Sequence, residues 1–287
     1  MEVVSDRGMD MSAEQLEGLD LHLVPLSITL DGKTYVSDVD IRREEFYDIL
    51  LTAEGLPTTS LPSPGEFAEI YRELVQSDPD ILSVHISSGL SGTYNSALEG
   101  AKLVPEARIT VWDTMTLSGA EGWQVEAAAR MAKAEWPLDR ILATLEQVRE
   151  VTETIFTLPE LKWLIHGGRI SHIKGLLASV LNIKPIIGVS KVDGKYFQRD
   201  RARTFSRAMR KLIDVMAEDV GRGVPIRVQV MHANAPEDAE ELRALVDEAY
   251  ECTWLPISSI APVLGAHTGP GLVGMAYAPL ADFPELP

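Results

Sequence analysis

Apolar and polar positions alternate along the first half of the chain in a way that predicts strands followed by helices. Short apolar runs indicate strands at residues 21–30, 80–87 and 107–112. Apolar residues at helical spacing predict helices at residues 42–51, at 63–76, from Thr93 onward, at 120–134 and at 138–150. The helix at 63–76 has a start signal, because Ser63-Pro64-Gly65-Glu66 has the composition of a capping box with proline in the first turn. Such alternation is typical of a parallel α/β sheet.

The second half of the chain is less regular. The pattern predicts strands at residues 152–158, 184–191, 196–198, 224–231, 252–260 and 271–278, and helices at 203–218 and 236–250. Asp193-Gly194 lies between two of these strands and is a hairpin turn signal. We place a domain boundary near residue 152, which predicts an N-terminal domain of residues 1–152 and a C-terminal domain of residues 153–287.

Composition and charge restrict the possible functions. The 287 residues are 45% hydrophobic and 24% charged, as in an ordinary globular protein. A net charge of -17, with no run of four basic residues, argues against nucleic acid and against anionic membranes as partners. Cys252 is the single cysteine, no stretch of 18 apolar residues occurs, and residues 1–11 lack a secretory pattern. We therefore expect a cytoplasmic protein without stable membrane insertion.

The spacing of residues argues against two common kinds of site. Residues 269–274 (GPGLVG) match the glycine pattern of a dinucleotide site, but only 13 residues follow, too few for the βαβ unit that such a site requires. No histidine pair has the spacing of a zinc site, so no metal is expected. His85 alternates with apolar neighbours and is expected to be packed in the core.

Two turns are rich in hydroxyl groups. One contains Thr58-Thr59-Ser60, and the other, residues 87–93 (SSGLSGT), joins a predicted strand to a predicted helix. Hydroxyl donors and helix N-terminal N–H groups can hold a carboxylate or phosphate oxygen, but the same residues are also common helix caps. The residues alone leave both interpretations open.

A serine nucleophile is a third possibility for the second turn. Ser91 lies in a segment close to the GxSxG elbow of hydrolases, although Thr93 replaces the last glycine. His267 could act as its base and Asp113 could orient that base. A stand-alone Ser91/His267 esterase or acyl transferase is therefore an alternative function.

Four motifs in this order resemble those of the DegV family, the bacterial fatty-acid-binding proteins. They are residues 57–64 (PTTSLPSP), 87–97 (SSGLSGTYNSA), 167–171 (GGRIS) and 267–272 (HTGPGL), with a weaker match at 3–6 (VVSD). The resemblance implies an α/β protein of two domains, the N-terminal one with a parallel sheet and the C-terminal one with a mixed sheet. It also implies a long-chain fatty acid buried between or within them.

The resemblance also implies roles for individual residues. Thr59 and Ser91 would hydrogen-bond the carboxylate, and His267 would join or orient that network. The expected neighbours of the site are Ser60, Ser88, Gly92 and Arg169. Arg203 matches a basic stretch linked in the family to partner contact. The resemblance implies no catalytic residue in this chain and no cofactor besides the bound fatty acid.

Family members that work with a kinase present the fatty acid to it. By this resemblance the chain would be the non-catalytic subunit of a fatty acid kinase, which makes acyl phosphate from ATP for phospholipid metabolism. A lipid sensor without a kinase is an alternative. The chain departs from the family pattern at three places: Leu61 replaces a usual Gln, Arg7-Gly8-Met9 replaces Ser-Thr-Ala, and His166 replaces a frequent Lys. These departures bear on lipid preference and choice of partner.

Overall fold

A computed structural model of the chain describes residues 1–173 and 183–287. The first half forms seven strands: β1 (Glu2–Asp6), β2 (His22–Val24), β3 (Ser27–Leu30), β4 (Lys33–Val36), β5 (Thr58–Ser60), β6 (Asp80–His85) and β7 (Arg108–Asp113). Its helices are α1 (Ala13–Leu16), α2 (Arg43–Thr52), α3 (Pro64–Leu74), α4 (Thr93–Ala101), α5 (Ser118–Lys133) and α6 (Leu138–Val151).

The second half supplies the remaining described elements. Its strands are β8 (Glu153–Thr157), β9 (Lys184–Val189), β10 (Tyr196–Ala202), β11 (Ile226–His232), β12 (Cys252–Trp254), β13 (Ser258–Ser259) and β14 (Val273–Pro279). Its helices are α7 (Lys162–His166), α8 (Phe205–Val220), α9 (Pro236–Asp247) and α10 (Pro262–Thr268), with a 3-10 turn at Arg169–His172.

The strands form three sheets within the described residues. The first has the order β2-β1-β6-β7 and is parallel throughout. The second has the order β10-β9-β8-β14-β11-β12 and mixes antiparallel pairs with the parallel pair β11 and β12. A small antiparallel sheet, β4-β3-β5, lies beside them. The predicted α/β class, with a parallel N-terminal sheet and a mixed C-terminal sheet, is confirmed.

The parallel sheet is covered on both faces, because adjacent residues of its central strands point to opposite sides. Val4 packs with the side chains of α3 and α4, whereas Val3 packs with those of α5. Helix α5 also contacts β11 and β14, so it lies between the two large sheets. This position explains why most of α5 is buried and why small residues make up much of its sequence.

The boundary near residue 152 stays a prediction. The strands of the parallel sheet end with β7, and β8 begins the mixed sheet. One continuous apolar core nevertheless contains side chains from both halves, such as Val84, Leu117, Ile187 and Leu264.

Two predicted strands are each divided into two strands in the structure, and both divisions occur at a proline. Residues 21–30 form two strands in different sheets, β2 and β3, with Pro25 between them. Residues 252–260 form β12 and β13, with Pro256 between them. Proline has no N–H to donate to a ladder, so each run of apolar residues is interrupted there.

Local signals were more reliable where they involve specific side chains. The Ser63 capping box is confirmed: Ser63 Oγ accepts from the Glu66 N–H at 3.3 Å, and a Glu66 oxygen accepts from the Ser63 N–H at 2.7 Å.

The segment Thr58–Ser60, interpreted as a turn, is instead strand β5, since it pairs with β3. His267 belongs to the last turn of α10 rather than to the glycine turn that follows.

Candidate functional site

A cavity opens where β5, the turn after β6, the 3-10 turn and α10 meet. It has a volume of about 660 Å³, including its mouth. Its polar lining residues, here called the polar end, are Thr59, Ser60, Ser91, Arg169 and His267. Four separate motifs of the sequence thus contribute to one site.

Thr59 and His267 are joined directly at the polar end. Thr59 Oγ1 lies 2.9 Å from His267 Nε2, and the pairing of β5 with β3 sets Thr59 opposite Ile28. Strand β5 and helix α10 contact each other, which brings these two residues together across 208 positions of the chain.

The His267 imidazole is neutral at physiological pH. Burial first, and then the positive charges of Arg169 and His166, lower the pKa of His267 to about 3. Gly167 lies against the same ring: a Cβ on Gly167 would be 2.2 Å from His267 Nδ1. The first glycine of the Gly-Gly-Arg motif therefore makes room for the imidazole.

Ser91 lies directly before Gly92, which is the N-cap residue of α4, and no side chain makes an N-cap hydrogen bond there. Ser91 Oγ accepts a hydrogen bond from the Thr93 N–H at 3.3 Å, at the start of α4, and lies 2.9 Å from Thr93 Oγ1. The same residue lines the cavity. A hydroxyl that accepts from a backbone N–H still has its own proton to donate, so the bond to the Thr93 N–H leaves Ser91 able to contact a ligand.

Arg169 is the charged side chain among the described lining residues. Its Nε donates to the Leu90 carbonyl at 3.2 Å and its Nη1 to the Gly167 carbonyl at 2.6 Å. Half-burial lowers the pKa of this guanidinium from its ordinary value, but an arginine remains charged. Arg169 thus ties the 3-10 turn to the Ser91 turn and supplies positive charge to the polar end.

The other expected neighbours differ in position. Ser60 lines the cavity, and Gly92 packs beside Leu61, whose Cδ2 would be 3.1 Å from a Cβ on Gly92. Ser88 is outside the described lining, and its backbone N–H donates to Asp113 at 3.2 Å. Arg203 is exposed just before α8 and is also outside that lining.

A second, apolar chamber shares walls with the first cavity. Leu117, Tyr196 and Leu264 line both spaces. The rest of this apolar chamber is formed by Ser118, Thr154, Ile155, Phe156, Met231, Ile260, Thr268, Leu272, Gly274 and Met275.

The hydroxyl groups of the apolar chamber are already bonded within the protein. Ser118 donates to Asp10, Thr154 bonds Thr116 at 3.1 Å, and Thr268 donates to the Leu264 carbonyl at 3.2 Å. The chamber therefore presents carbon surface to anything inside it. Together the two spaces place polar groups at one end and carbon surface at the other.

The sequence analysis missed the apolar part of this lining. Leu26, Ile86, Leu117, Tyr196, Val263 and Leu264 line the cavity beside the polar residues. All six are buried and belong to the same apolar core cluster, so their pattern along the chain is that of core residues. Of these six residues, only Tyr196 lies near a sequence signal, because it follows the hairpin turn signal Asp193-Gly194.

The geometry does not form a serine–histidine pair. Ser91 bonds Thr93, whereas His267 bonds Thr59. Asp113, the expected orienting residue, accepts instead from the backbone N–H groups of Ser88 and Met115. With a pKa of about 3, His267 is also a weak base.

The remaining histidine and metal expectations can be compared with the described residues. His85 is fully buried, as expected, between Ser83 Oγ at 2.7 Å and Asp6 Oδ2 at 3.0 Å. In residues 1–173 and 183–287, acidic, histidine and cysteine side chains form no group of three or more that could hold a metal ion. Over the same residues, every helix is too short or too polar to cross a bilayer.

Comparison with known proteins places the chain in a family. Residues 1–280 match the model of the DegV family COG1307, described as uncharacterised protein. A DegV domain-containing protein of Staphylococcus aureus is 36% identical over 273 residues, covering 95% of this chain and 96% of the relative. A DegV domain-containing protein of Deinococcus radiodurans is 34% identical over 277 residues, covering 96% of this chain and 95% of the relative.

Solved structures agree with this assignment. A DegV family protein from Thermus thermophilus, described as fatty acid binding, superposes with a TM-score of 0.86 at 30% identity, over 97% of this chain and 99% of that one. DegV from Bacillus subtilis, described as a fatty acid binding protein, gives a TM-score of 0.86 at 28% identity, over 96% and 98%. The chain belongs to the DegV family.

Proposed function

We propose that the protein binds a long-chain fatty acid, with the carboxylate at the polar end and the tail in the apolar chamber. One observation carries the proposal: a polar end with hydroxyls, a neutral imidazole and one arginine continues into a chamber whose own hydroxyls are internally bonded. The fatty acid binding named for the Thermus thermophilus and Bacillus subtilis proteins supports the same ligand class.

The carboxylate would receive hydrogen bonds from Thr59 and Ser91, and His267 would orient Thr59 through the bond between them. Ser60, Gly92 and Arg169 lie around this group. Hydrogen bonds to a charged group stabilise by about 1.5–3 kcal/mol each, so they orient the head group and satisfy its oxygens. Ser88 would act through the shape of the turn rather than by contact.

The tail would supply most of the affinity. Each methylene removed from water contributes about 0.8 kcal/mol, so a tail of a dozen or more carbons outweighs the head group. Tyr196 and Leu264 line both spaces and would contact the part of the tail that passes from the polar end into the apolar chamber.

The bound acid would be presented to a kinase subunit, which would make the acyl phosphate from ATP. This part of the proposal rests on the family resemblance and on one surface feature. Arg203 is one of four exposed arginines between the end of β10 and the first half of α8, with Arg201, Arg207 and Arg210, in a chain of net charge -17. A local basic surface of this kind is suited to an acidic partner protein.

Native mass spectrometry of the purified protein, followed by organic extraction and identification of the lipid, tests the ligand. We expect one fatty acid per chain. A protein that is empty and takes up no added palmitate or oleate would contradict the proposal.

Incubation of the loaded protein with a DegV-partner kinase subunit and ATP tests the second part. Acyl phosphate, trapped with hydroxylamine, is expected only when both proteins are present. Fatty acid binding without acyl phosphate would instead indicate a lipid sensor or buffer.

A further inference from the structure

A pair of buried carboxyl groups lies behind the polar end. Asp6 ends the central strand β1, and Glu121 lies in the first turn of α5. Both side chains have no solvent exposure. Neither was among the residues that the sequence motifs marked as binding residues.

The two carboxyl groups both lie close to Gly8. A Cβ on Gly8 would be 2.8 Å from Asp6 Oδ1 and 3.1 Å from Glu121 Oε2. The absence of a side chain at residue 8 is what lets the two groups approach. Gly8 is one of the residues at which this chain departs from the family's Ser-Thr-Ala pattern.

The hydrogen bonds of the two groups are unequal. Asp6 accepts from the Gly8 N–H at 2.7 Å, from His85 Nδ1 at 3.0 Å and from the Ile86 N–H at 3.0 Å. No N–H or O–H group of the described residues reaches either oxygen of Glu121. A carboxyl buried beside another carboxyl, with no donor of its own, is stable only if it carries a proton and donates it.

The surrounding charges favour the same assignment. Burial first, and then the carboxyl groups of Asp6, Asp10 and Asp113, raise the pKa of Glu121 well above its usual range. His85 lies on the far side of Asp6, where its ring bonds Asp6 Oδ2. Because Asp6 accepts three hydrogen bonds, it is the member that carries the negative charge, and Glu121 is the member that keeps the proton.

We propose that Glu121 is a positioning residue whose carboxyl O–H donates to Asp6 and thereby holds two walls of the polar end together. Asp6 holds the Ile86 N–H, and Ile86 lines the cavity. The Glu121 N–H bonds the Leu117 carbonyl at 3.4 Å, and Leu117 lines both spaces. The inference rests on the proposed fatty acid binding for its effect on ligand, but not for the shared proton.

The shared proton gives a defined dependence of stability on pH. In the unfolded chain a glutamate titrates at about pH 4.3, whereas in the folded protein Glu121 stays protonated above that value. The unfolded state therefore releases a proton that the folded state keeps, so stability falls as the pH rises above about 4.3. Glutamine at this position can donate to Asp6 at every pH and does not titrate.

Thermal unfolding of the wild type and Glu121→Gln between pH 4.5 and 8.5 tests whether Glu121 keeps its proton in the folded protein. We expect nearly equal Tm values at pH 4.5, and a Tm advantage for E121Q that grows by about 3 °C per pH unit until Glu121 ionises in the folded protein. Glu99→Gln, which changes an exposed glutamate of α4, is the control and should show no such growth. A Tm difference between E121Q and the wild type that stays constant across this pH range would contradict a proton shared between Glu121 and Asp6.

The positioning role is tested with cis-parinaric acid, whose fluorescence rises in an apolar site. At pH 7 we expect E121Q to bind it as the wild type does, and Glu121→Leu, which cannot donate, to bind it about tenfold more weakly. Equal Kd values for E121Q and E121L, with both folded by near-UV circular dichroism, would overturn the positioning role. A wild type that does not bind cis-parinaric acid would contradict both the positioning role and the proposed function. The Tm measurements would still show whether Glu121 keeps its proton in the folded protein.

Discussion

The two ends of the cavity differ in how their polar atoms are used. At the polar end, Thr59 and Ser91 have hydroxyls that line the open space, and Arg169 supplies a positive charge. In the apolar chamber, Ser118 and Thr154 have hydroxyls too, and the hydroxyls at both ends have partners within the protein. What distinguishes the two ends is the surface that faces the open space: the polar end exposes polar atoms as well as carbon, whereas the apolar chamber exposes almost only carbon.

This difference separates orientation from affinity. The polar end can determine where a carboxylate sits, and each hydrogen bond there contributes the same amount whatever the length of the tail. The apolar chamber contributes in proportion to the carbon surface that it buries. Mutations at the two ends should therefore depend differently on ligand length.

The largest effect should come from blocking the junction between the two ends. Leu264→Trp places a large ring where both spaces meet and should exclude about four methylenes of a C16 acid, which is about 3 kcal/mol, or roughly a hundredfold in Kd. Isothermal titration calorimetry with C8 and C16 acids measures this loss of affinity, which should be much smaller for the C8 acid.

Leu264→Met, which conserves volume, is the control and should bind both acids nearly as the wild type does. Thermal unfolding of L264W shows whether the added ring has disrupted the core. An equal loss for C8 and C16 acids in a folded L264W would contradict the separation of the two ends.

A smaller effect should follow from removing one donor at the polar end. Ser91→Ala and Thr59→Val each remove a hydrogen bond to a charged group, which predicts about a tenfold rise in Kd. The same titrations should give the same factor for C8 and C16 acids. Ser88→Ala, in the same turn but outside the described lining, should bind as the wild type does. A loss that increased with tail length would mean that these residues act on the chamber rather than on the head group.

His267 should affect the pH dependence of stability rather than the dependence of binding on ligand length. The pKa of about 3 in the folded protein lies below that of an unfolded histidine, about 6.5. As the pH falls below about 6.5, the unfolded state binds a proton that the folded state does not, so the wild type loses stability toward acid.

His267→Gln should lose less stability than the wild type over pH 6.5 to 4.5, as measured by thermal unfolding. His166→Gln, at an exposed position, is the comparison variant. Parallel curves for the wild type and H267Q would show that His267 titrates normally in the folded protein.

The sequence predicted local structure correctly where the residues that cause it lie within one short segment. The capping box at Ser63 is one example, since both partners lie within four residues. The alternation of strands and helices through β7 is another, because burial on both faces imposes it. The prediction was wrong at Pro25 and Pro256, because proline lacks the N–H that would continue each strand through the apolar run. It was also wrong at Thr58–Ser60, where polar residues form strand β5 because they pair with β3.

The sequence by itself determined the class of the fold, the polar members of the site and the family to which they belong. Tertiary structure decided which polar atoms face the cavity, which leucines line it and which two buried acids lie close together. Thr59 meets His267 across 208 residues, and Glu121 meets Asp6 across Gly8. These properties depend on distances and burial between segments far apart in the chain, and such distances have no counterpart in the local pattern of residues.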